Sequence, residues 1–148
     1  MSGIIEGENR AQVTLFPEMI DDYVSKENPV RVIDVFVDSI DLSMLGFRTT
    51  PAKTGRPSYH PSSMLKLFIY GYINRIQSSR RLEREANRNV ELIWLLGRLT
   101  PDFKTIADFR KNNTKGIIRV CREFVLICRK LNLFADSLIA IDGSKFRV

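Results

Sequence analysis

The sequence predicts a mainly α-helical protein. Apolar residues recur every three or four positions through most of the chain, and several of these patterns follow residues that favour a helix start. The 148 residues are 44% hydrophobic and 27% charged, which supports one core beneath a soluble surface. We therefore expect a helical bundle with helix-turn-helix-like elements, ending in a short β-hairpin stub.

Three regions differ in character along the chain. Residues 1–27 are polar with scattered apolar side chains, and they predict an extended N-terminal arm with Phe16 and Pro17 as candidates to dock on the body. Residues 28–134 carry the helical patterns and are predicted to form one domain. Residues 135–148 are predicted to begin a second, truncated domain.

The first two predicted helices start at prolines. Asn28 is a capping residue, and the following Pro29 suits a first helical turn. The apolar face of this helix comprises Val30, Ile33, Phe36 or Val37, and Ile40. A loop follows from residue 47 to residue 59. The second helix runs from Pro61 to about Ile76 and is apolar almost all round, which predicts a central position.

Three shorter helices are predicted next. The polar sequence Gln77–Ser79 ends the second helix, and Arg80–Asn87 forms a short, strongly basic helix. Val90–Leu96 is a compact apolar helix that Gly97 ends. Thr100–Asp102 repeats the start signal, with an acidic residue in the first turn, for a helix that ends near residue 112.

The last predicted helix runs from about Lys115 to Asn132. Its apolar residues alternate spacings of four and three in a heptad-like seam formed by Ile117, Cys121, Phe124, Cys128 and Leu131. The seam predicts either packing inside the chain's own core or a dimer interface. Two cysteines seven residues apart on one helix lie roughly 10 Å apart, too far for a disulfide, which favours a reducing cytoplasm.

The final residues change from helical to strand-like patterns. Leu138–Ile141 is short and apolar, and Asp142-Gly143 precedes Ser144–Val148, which predicts a strand, a tight turn and a second strand. A carboxylate at a strand end is a suitable metal ligand. Asp142 therefore either binds a metal or serves only the turn.

The charge is distributed unevenly. Residues 1–47 hold three basic and nine acidic side chains, whereas residues 48–88 hold nine basic and two acidic ones, and residues 98–148 hold eleven basic and five acidic ones. An acidic leader before a basic body indicates a polyanion-binding protein. The alternative is that the basic residues are ordinary solvated helix faces.

Several functional classes lack their sequence signals. No apolar run approaches the roughly 18 residues that span a bilayer, and the N-terminus lacks a signal-peptide pattern. His60 precedes Pro61 and is expected to cap a helix rather than to act in catalysis. Neither zinc-ligand spacing nor a glycine-rich phosphate loop is found.

The connection between the second and third helices suggests DNA recognition. A buried helix joined to a basic helix by a short polar turn is typical of a helix-turn-helix, with arginines and serines suited to phosphate oxygens. The residues concerned are Ser78, Ser79, Arg80, Arg81 and Arg84. A second candidate for DNA recognition is the segment Thr100–Lys111. Its outward-facing side chains could be Lys104, Thr105, Asp108, Arg110 and Lys111. A plain helical bundle is the alternative, and the helix that enters a groove is left open.

The ordered set of motifs resembles the N-terminal part of bacterial insertion-sequence transposases of the DDE class. The resemblance covers residue 14 to the end of the chain. Its blocks are Gly55-Arg56-Pro57, Tyr70-Gly71-Tyr72, Ser78–Glu83, Thr100–Asp102, Thr105–Arg110 and Ile141–Lys145. The resemblance implies that the helical region binds double-stranded DNA at the terminal inverted repeats, with Arg56 supporting the loop or contacting phosphate. It also implies a bacterial, cytoplasmic and nucleoid-associated protein.

The resemblance further implies a role for Asp142 as the first acid of the DDE triad. That residue would lie on the first strand of a ribonuclease-H-like domain, where three carboxylates bind two Mg²⁺ ions in the full-length enzyme. The second Asp and the Glu of the triad would lie downstream, so we expect this chain alone to take no cofactor and neither to cleave nor to join DNA. It would be a shortened gene product, an engineered fragment or one half of a split transposase.

Two other functional classes are open. The seam of the last helix could form a homo-oligomer, or pair with full-length transposase and inhibit it. The chain could also be a degenerate remnant without activity.

Overall fold

The part of the chain that the structure describes is built mainly from six α-helices and one short 3-10 helix. The computed structural model describes residues 3–50, 55, 57–136 and 138. The 3-10 helix spans Ile20–Tyr23, and the α-helices are α1 (Val30–Ser39), α2 (Pro61–Ile73), α3 (Ser79–Arg88), α4 (Val90–Leu95), α5 (Phe103–Asn112) and α6 (Thr114–Leu131). The mainly helical fold class is confirmed, and the described residues contain no strand.

Helix α2 lies at the centre of the fold, as its apolar sequence predicts. It packs against α1, α3, α4 and α6, and the side chains of Leu65, Leu67 and Ile69 are completely buried. His60 caps the helix as expected, because its Nδ1 accepts a hydrogen bond from the backbone N–H of Ser62 at 3.1 Å. Among the described residues, no helix is both long and apolar enough to cross a membrane.

A polar network joins the starts of α1 and α4 to α2. Asn28 accepts from the Val30 N–H at 2.8 Å and so caps α1, and its Nδ2 donates to Glu91 at 2.8 Å. Tyr70 on α2 donates its hydroxyl to the same carboxylate at 2.6 Å. Burial and then Glu91 raise the pKa of Tyr70. The phenol therefore remains a hydrogen-bond donor, and the three helices share one satisfied polar cluster.

The 3-10 helix is attached to the body through Asp21. The Oδ1 atom of Asp21 accepts hydrogen bonds from Trp94 Nε1 at 3.0 Å and from the Arg31 guanidinium at 2.8 Å. The Arg31 guanidinium also lies over the Trp94 ring, 4.8 Å from its centre. The hydrogen bond from Trp94 and then that from Arg31 lower the pKa of Asp21.

The first part of the N-terminal arm, residues 3–19, does not pack on the body. Phe16 is 77% exposed, and residues 3–19 are exposed throughout. The expectation that Phe16 and Pro17 dock on the body is therefore wrong. The arm's apolar side chains are scattered along an extended backbone, so they form no continuous face that could pack on a helix.

The middle of the predicted seam on α6 lies inside the core. Cys121, Phe124 and Cys128 are buried, and the Phe124 ring contacts Phe36 of α1 edge-on at 5.2 Å between centroids. Leu131, at the end of the helix, is 62% exposed. Core packing, one of the two interpretations of the seam, therefore describes its central residues.

The first residue of the strand predicted after α6 is helical. Leu138 lies in a helical turn, and its N–H donates to the Phe134 carbonyl at 2.9 Å, so a strand does not begin at that residue. The rest of the predicted hairpin, residues 139–148 with Asp142, lies outside the described residues.

Candidate nucleic-acid interface

The turn between α2 and α3 begins earlier than the sequence predicts. Helix α2 ends at Ile73 rather than near Ile76, because Arg75 adopts the left-handed conformation with φ +59°. The Ile76 N–H then donates to the Gly71 carbonyl at 2.7 Å, which closes the helix end in a Schellman motif. Ile76 is buried, so the turn is fixed at a defined position before α3 starts.

Gly71 allows α3 to approach α2 closely. A Cβ atom at this position would lie 2.6 Å from the Ile76 carbonyl oxygen and 2.8 Å from Leu82 Cδ2. Leu82 is the completely buried residue through which α3 is seated on the core. The glycine in the Tyr70-Gly71-Tyr72 motif therefore serves close helix packing.

Helix α3 carries four arginines around a narrow apolar face. Its N-terminus is capped by Ser78, whose Oγ accepts from the Arg81 N–H at 3.2 Å, while Ser79 in the first turn is half-buried. Arg81 and Arg84 are exposed, and neither side chain forms an ion pair within the part of the chain that the structure describes. Arg88 instead pairs with Glu85 at 2.5 Å and thereby lowers the pKa of that carboxyl.

The start of α5 is fixed to α3 by two contacts. Glu83 on α3 accepts from the backbone N–H of Phe103 at 2.9 Å, and the Arg80 guanidinium lies 4.0 Å above the Phe103 ring. Asp102 caps α5 by accepting from the Thr105 N–H at 2.7 Å. The positions of the two helices relative to each other are therefore set at their N-terminal ends.

Arg110 is turned inward, contrary to the expectation that it faces outward. Its guanidinium donates to the backbone carbonyl of Gln77 and lies 5.1 Å from the centre of the Phe68 ring. Burial lowers the pKa of Arg110. The side chain thus connects the end of α5 to the turn before α3. Thr105 is half-buried as well.

The outer face of α5 exposes a mixed set of side chains. The completely buried Ile106 seats the helix, and the exposed residues Lys104, Ala107, Asp108 and Lys111 follow the spacing of one helical face. Two ammonium groups, a carboxylate and a methyl group therefore lie side by side. This set differs from the arginines of α3.

The structure brings most of the predicted site residues together on α3 and α5. Arg56 and Asp142 lie outside the described residues. Glu83 and Phe103, whose contacts connect the two helices, were not among the predicted interface residues. The position of Glu83 in the arginine-rich motif gave no signal for this role, because its partner lies 20 residues away in sequence.

The described residues contain neither a metal-binding cluster of side chains nor an ionised thiol. No group of three His, Cys, Asp or Glu side chains within them could bind a metal ion. Burial raises the pKa of the Cys121 thiol to about 12 and that of Cys128 to about 11, so both thiols are protonated at neutral pH. The chemistry of this region is therefore that of exposed arginine and lysine side chains.

Comparison with known proteins assigns the chain to a family. A family model described as Transposase domain (DUF772) matches residues 18–112, which is more than half of the chain. No curated protein and no solved structure matches. The matched region includes α1 to α5 and thus both helices of the candidate interface. The chain therefore belongs to the DUF772 transposase domain family and has a transposase-related role.

Proposed function

We propose that this chain binds double-stranded DNA and recognises the terminal inverted repeats of a transposable element during DNA transposition. The observation that carries the proposal is the exposed pair Arg81 and Arg84 on α3, a helix seated by Leu82 and fixed to α5. Guanidinium groups on a rigid helix suit the phosphate oxygens of a duplex. Membership of a transposase family makes DNA the expected polyanion.

The charge distribution supports the same ligand. Residues 48–88, which contain α2 and α3, hold nine basic and two acidic side chains. Basic side chains that neutralise phosphates release condensed counterions, which gives affinity that falls steeply with salt. Helix-turn-helix proteins likewise use two packed helices on duplex DNA, one in the major groove and one across the backbone.

Fluorescence anisotropy with two labelled duplexes tests the proposal. One duplex carries the terminal inverted repeat that flanks the gene, and the other has the same bases in scrambled order. We expect the repeat to bind at least tenfold more tightly, or about 1.4 kcal/mol, with affinity falling as salt rises. Equal binding to both duplexes would contradict recognition of the repeat, and no binding at low salt would contradict DNA binding altogether.

A charge-matched pair of variants locates the interface. Arg81→Ala/Arg84→Ala removes two charges from α3, and we expect weaker binding to both duplexes with a salt slope smaller by about two. Lys26→Ala/Lys130→Ala removes two exposed charges elsewhere and should leave binding nearly unchanged. Equal losses in the two variants would show that net charge alone drives binding.

The catalytic part of the proposal concerns Asp142. As the first acid of a DDE triad this residue would share Mg²⁺ with two further carboxylates. Because no metal-binding group of side chains is found between α1 and α6 in the described residues, we assign no catalytic step to these helices. The function that we propose for them is DNA binding, and Mg²⁺ should not be required for it.

Pairing with full-length transposase through the α6 seam is the less favoured function. Three of the five seam residues, Cys121, Phe124 and Cys128, are buried within the chain's own core. Only the end of the seam, at Leu131, is exposed. Sedimentation equilibrium of this chain mixed with full-length transposase would test this alternative, since pairing requires a species with the summed mass of the two chains.

A further inference from the structure

We propose that α5 is the helix that enters the major groove and selects the base sequence, while α3 lies against the phosphate backbone. This inference rests on the proposed DNA-binding function and assigns separate tasks to the two helices. The side chains that select bases are Lys104, Asp108 and Lys111, with Ala107 between them.

The chemistry of the exposed faces distinguishes the two helices. A helix that reads bases needs donors, acceptors and apolar groups, because base edges in the major groove present all three. The outer face of α5 offers lysine donors at Lys104 and Lys111, a carboxylate acceptor at Asp108 and a methyl group at Ala107. Lysine can donate to guanine, a carboxylate can accept from the amino group of cytosine, and a methyl group can contact thymine.

Helix α3 has fewer side chains available for bases. Arg80 is stacked on Phe103, Glu83 binds the N-terminus of α5, and Arg88 is paired with Glu85. The exposed Asn87 donates its Nδ2 to the Glu83 carbonyl of the same helix at 2.8 Å. The exposed Arg81 and Arg84 offer donors only, which suit phosphates of any sequence and, among base edges, guanine. Helix α3 is therefore the positioning helix of the pair.

The dimensions of the α5 face suit a groove. Lys104 and Lys111 are seven residues apart, which corresponds to about 10 Å along a helix. The same length covers about three base pairs of a duplex. The small side chain of Ala107, which is exposed between them, lets the helix backbone approach the base edges.

The position of α5 is fixed from three sides, as base selection requires. Its start is bound by Glu83 and Arg80, and its end is bound by Arg110 to the turn before α3. On its inner side, Phe109 stacks on Phe68 at 5.8 Å between ring centroids. The outer side chains are thus presented by a helix that cannot tilt independently of α3.

Selection of binding sites from a random duplex library tests the assignment. The full 148-residue chain is compared with Lys104→Ala, Asp108→Ala and Lys111→Ala on α5, and with Arg81→Ala and Arg84→Ala on α3. We expect each α5 variant to lose at least tenfold discrimination at one position within a stretch of about three base pairs. Each α3 variant should weaken binding to all sequences equally and leave the preferred bases unchanged.

Asp108→Asn provides a gain-of-preference test that loss of folding cannot imitate. An amide pairs with adenine, whereas a carboxylate accepts from cytosine, so the preferred base at one position should change. All substituted side chains are exposed, and an unchanged far-UV circular dichroism spectrum checks the fold.

Three outcomes would overturn the inference. An altered base profile in the α3 variants with an unchanged profile in the α5 variants would reverse the two roles. Unchanged profiles in all variants would show that neither helix reads bases. Both results would leave DNA binding itself intact, whereas failure of the unmodified chain to bind any duplex would remove the proposed function and this inference together.

Discussion

Helices α2 and α3 are neighbours in sequence and in space, yet they use their surfaces in opposite ways. Nine of the thirteen residues of α2 are buried, whereas only Leu82 and Ala86 of the ten residues of α3 are. Helix α2 stabilises the whole bundle, and α3 needs only its two buried side chains to be seated. The difference teaches that the core and the exposed basic surface are assigned to two separate helices, which meet at one glycine, Gly71.

Replacing Gly71 should cause the largest loss in the free energy of unfolding. In Gly71→Val the new side chain would collide with the Ile76 carbonyl and with Leu82. We expect a loss of about 3 kcal/mol in the free energy of unfolding, because overpacking at a backbone contact cannot be relieved by side-chain rotation. Urea denaturation followed by circular dichroism measures it. Gly7→Val, in open space on the arm, is the control and should change stability by less than about 0.5 kcal/mol.

Removing one hydroxyl from α2 should have a smaller effect. Tyr70→Phe deletes the hydrogen bond to Glu91 and leaves that carboxylate with Asn28 as its remaining side-chain partner. Hydrogen bonds to charged groups contribute about 1.5–3 kcal/mol, so we expect a loss of about 2 kcal/mol in thermal or urea denaturation. Tyr59→Phe, at a half-buried tyrosine, is the matched control. Equal losses in both variants would show that the network adds nothing specific.

The smallest expected effect concerns the turn between α2 and α3, where glycine should be the more stabilising replacement. Arg75 has φ +59°, a conformation that costs a residue with a side chain about 1 kcal/mol relative to glycine. We therefore expect Arg75→Gly to be more stable than Arg75→Ala by about 1 kcal/mol, since both remove the arginine side chain and only one removes the Cβ atom. No difference between the two variants would mean that the turn relaxes to another conformation.

The helices could be predicted because their signals are local. Asn28 and His60 were predicted as caps because each lies next to the helix that it starts. Ser78, predicted as part of a helix break, and Asp102, predicted within a first turn, are caps as well. Apolar spacing likewise identified the buried residues of α1 and the middle of the α6 seam, and the apolar sequence of α2 predicted its central position. The end of α2 was placed three residues too late for two reasons. Ile76 follows Ile73 at helical spacing, and the left-handed position is occupied by Arg75 rather than by a glycine that would indicate a helix end.

The direction of individual side chains at the interface could not be predicted in the same way. Arg110 turns inward because a ring at Phe68 and a carbonyl at Gln77 lie beside it, and both are more than 30 residues away in sequence. The role of Glu83 depends on the start of α5 in the same manner. Periodicity identifies the face on which a residue lies, but long-range packing decides which arginines remain available to a ligand.

The attachment of Asp21 to Trp94 gives the molecule a built-in optical reporter. Trp94 is the only tryptophan of the chain, and its indole donates to Asp21 while the Arg31 guanidinium lies over its ring. Emission from a single indole depends on its nearest charges and on its contact with water. Its wavelength and intensity therefore follow the release of the 3-10 helix from α4, without any added dye, and separate that local event from unfolding of the bundle.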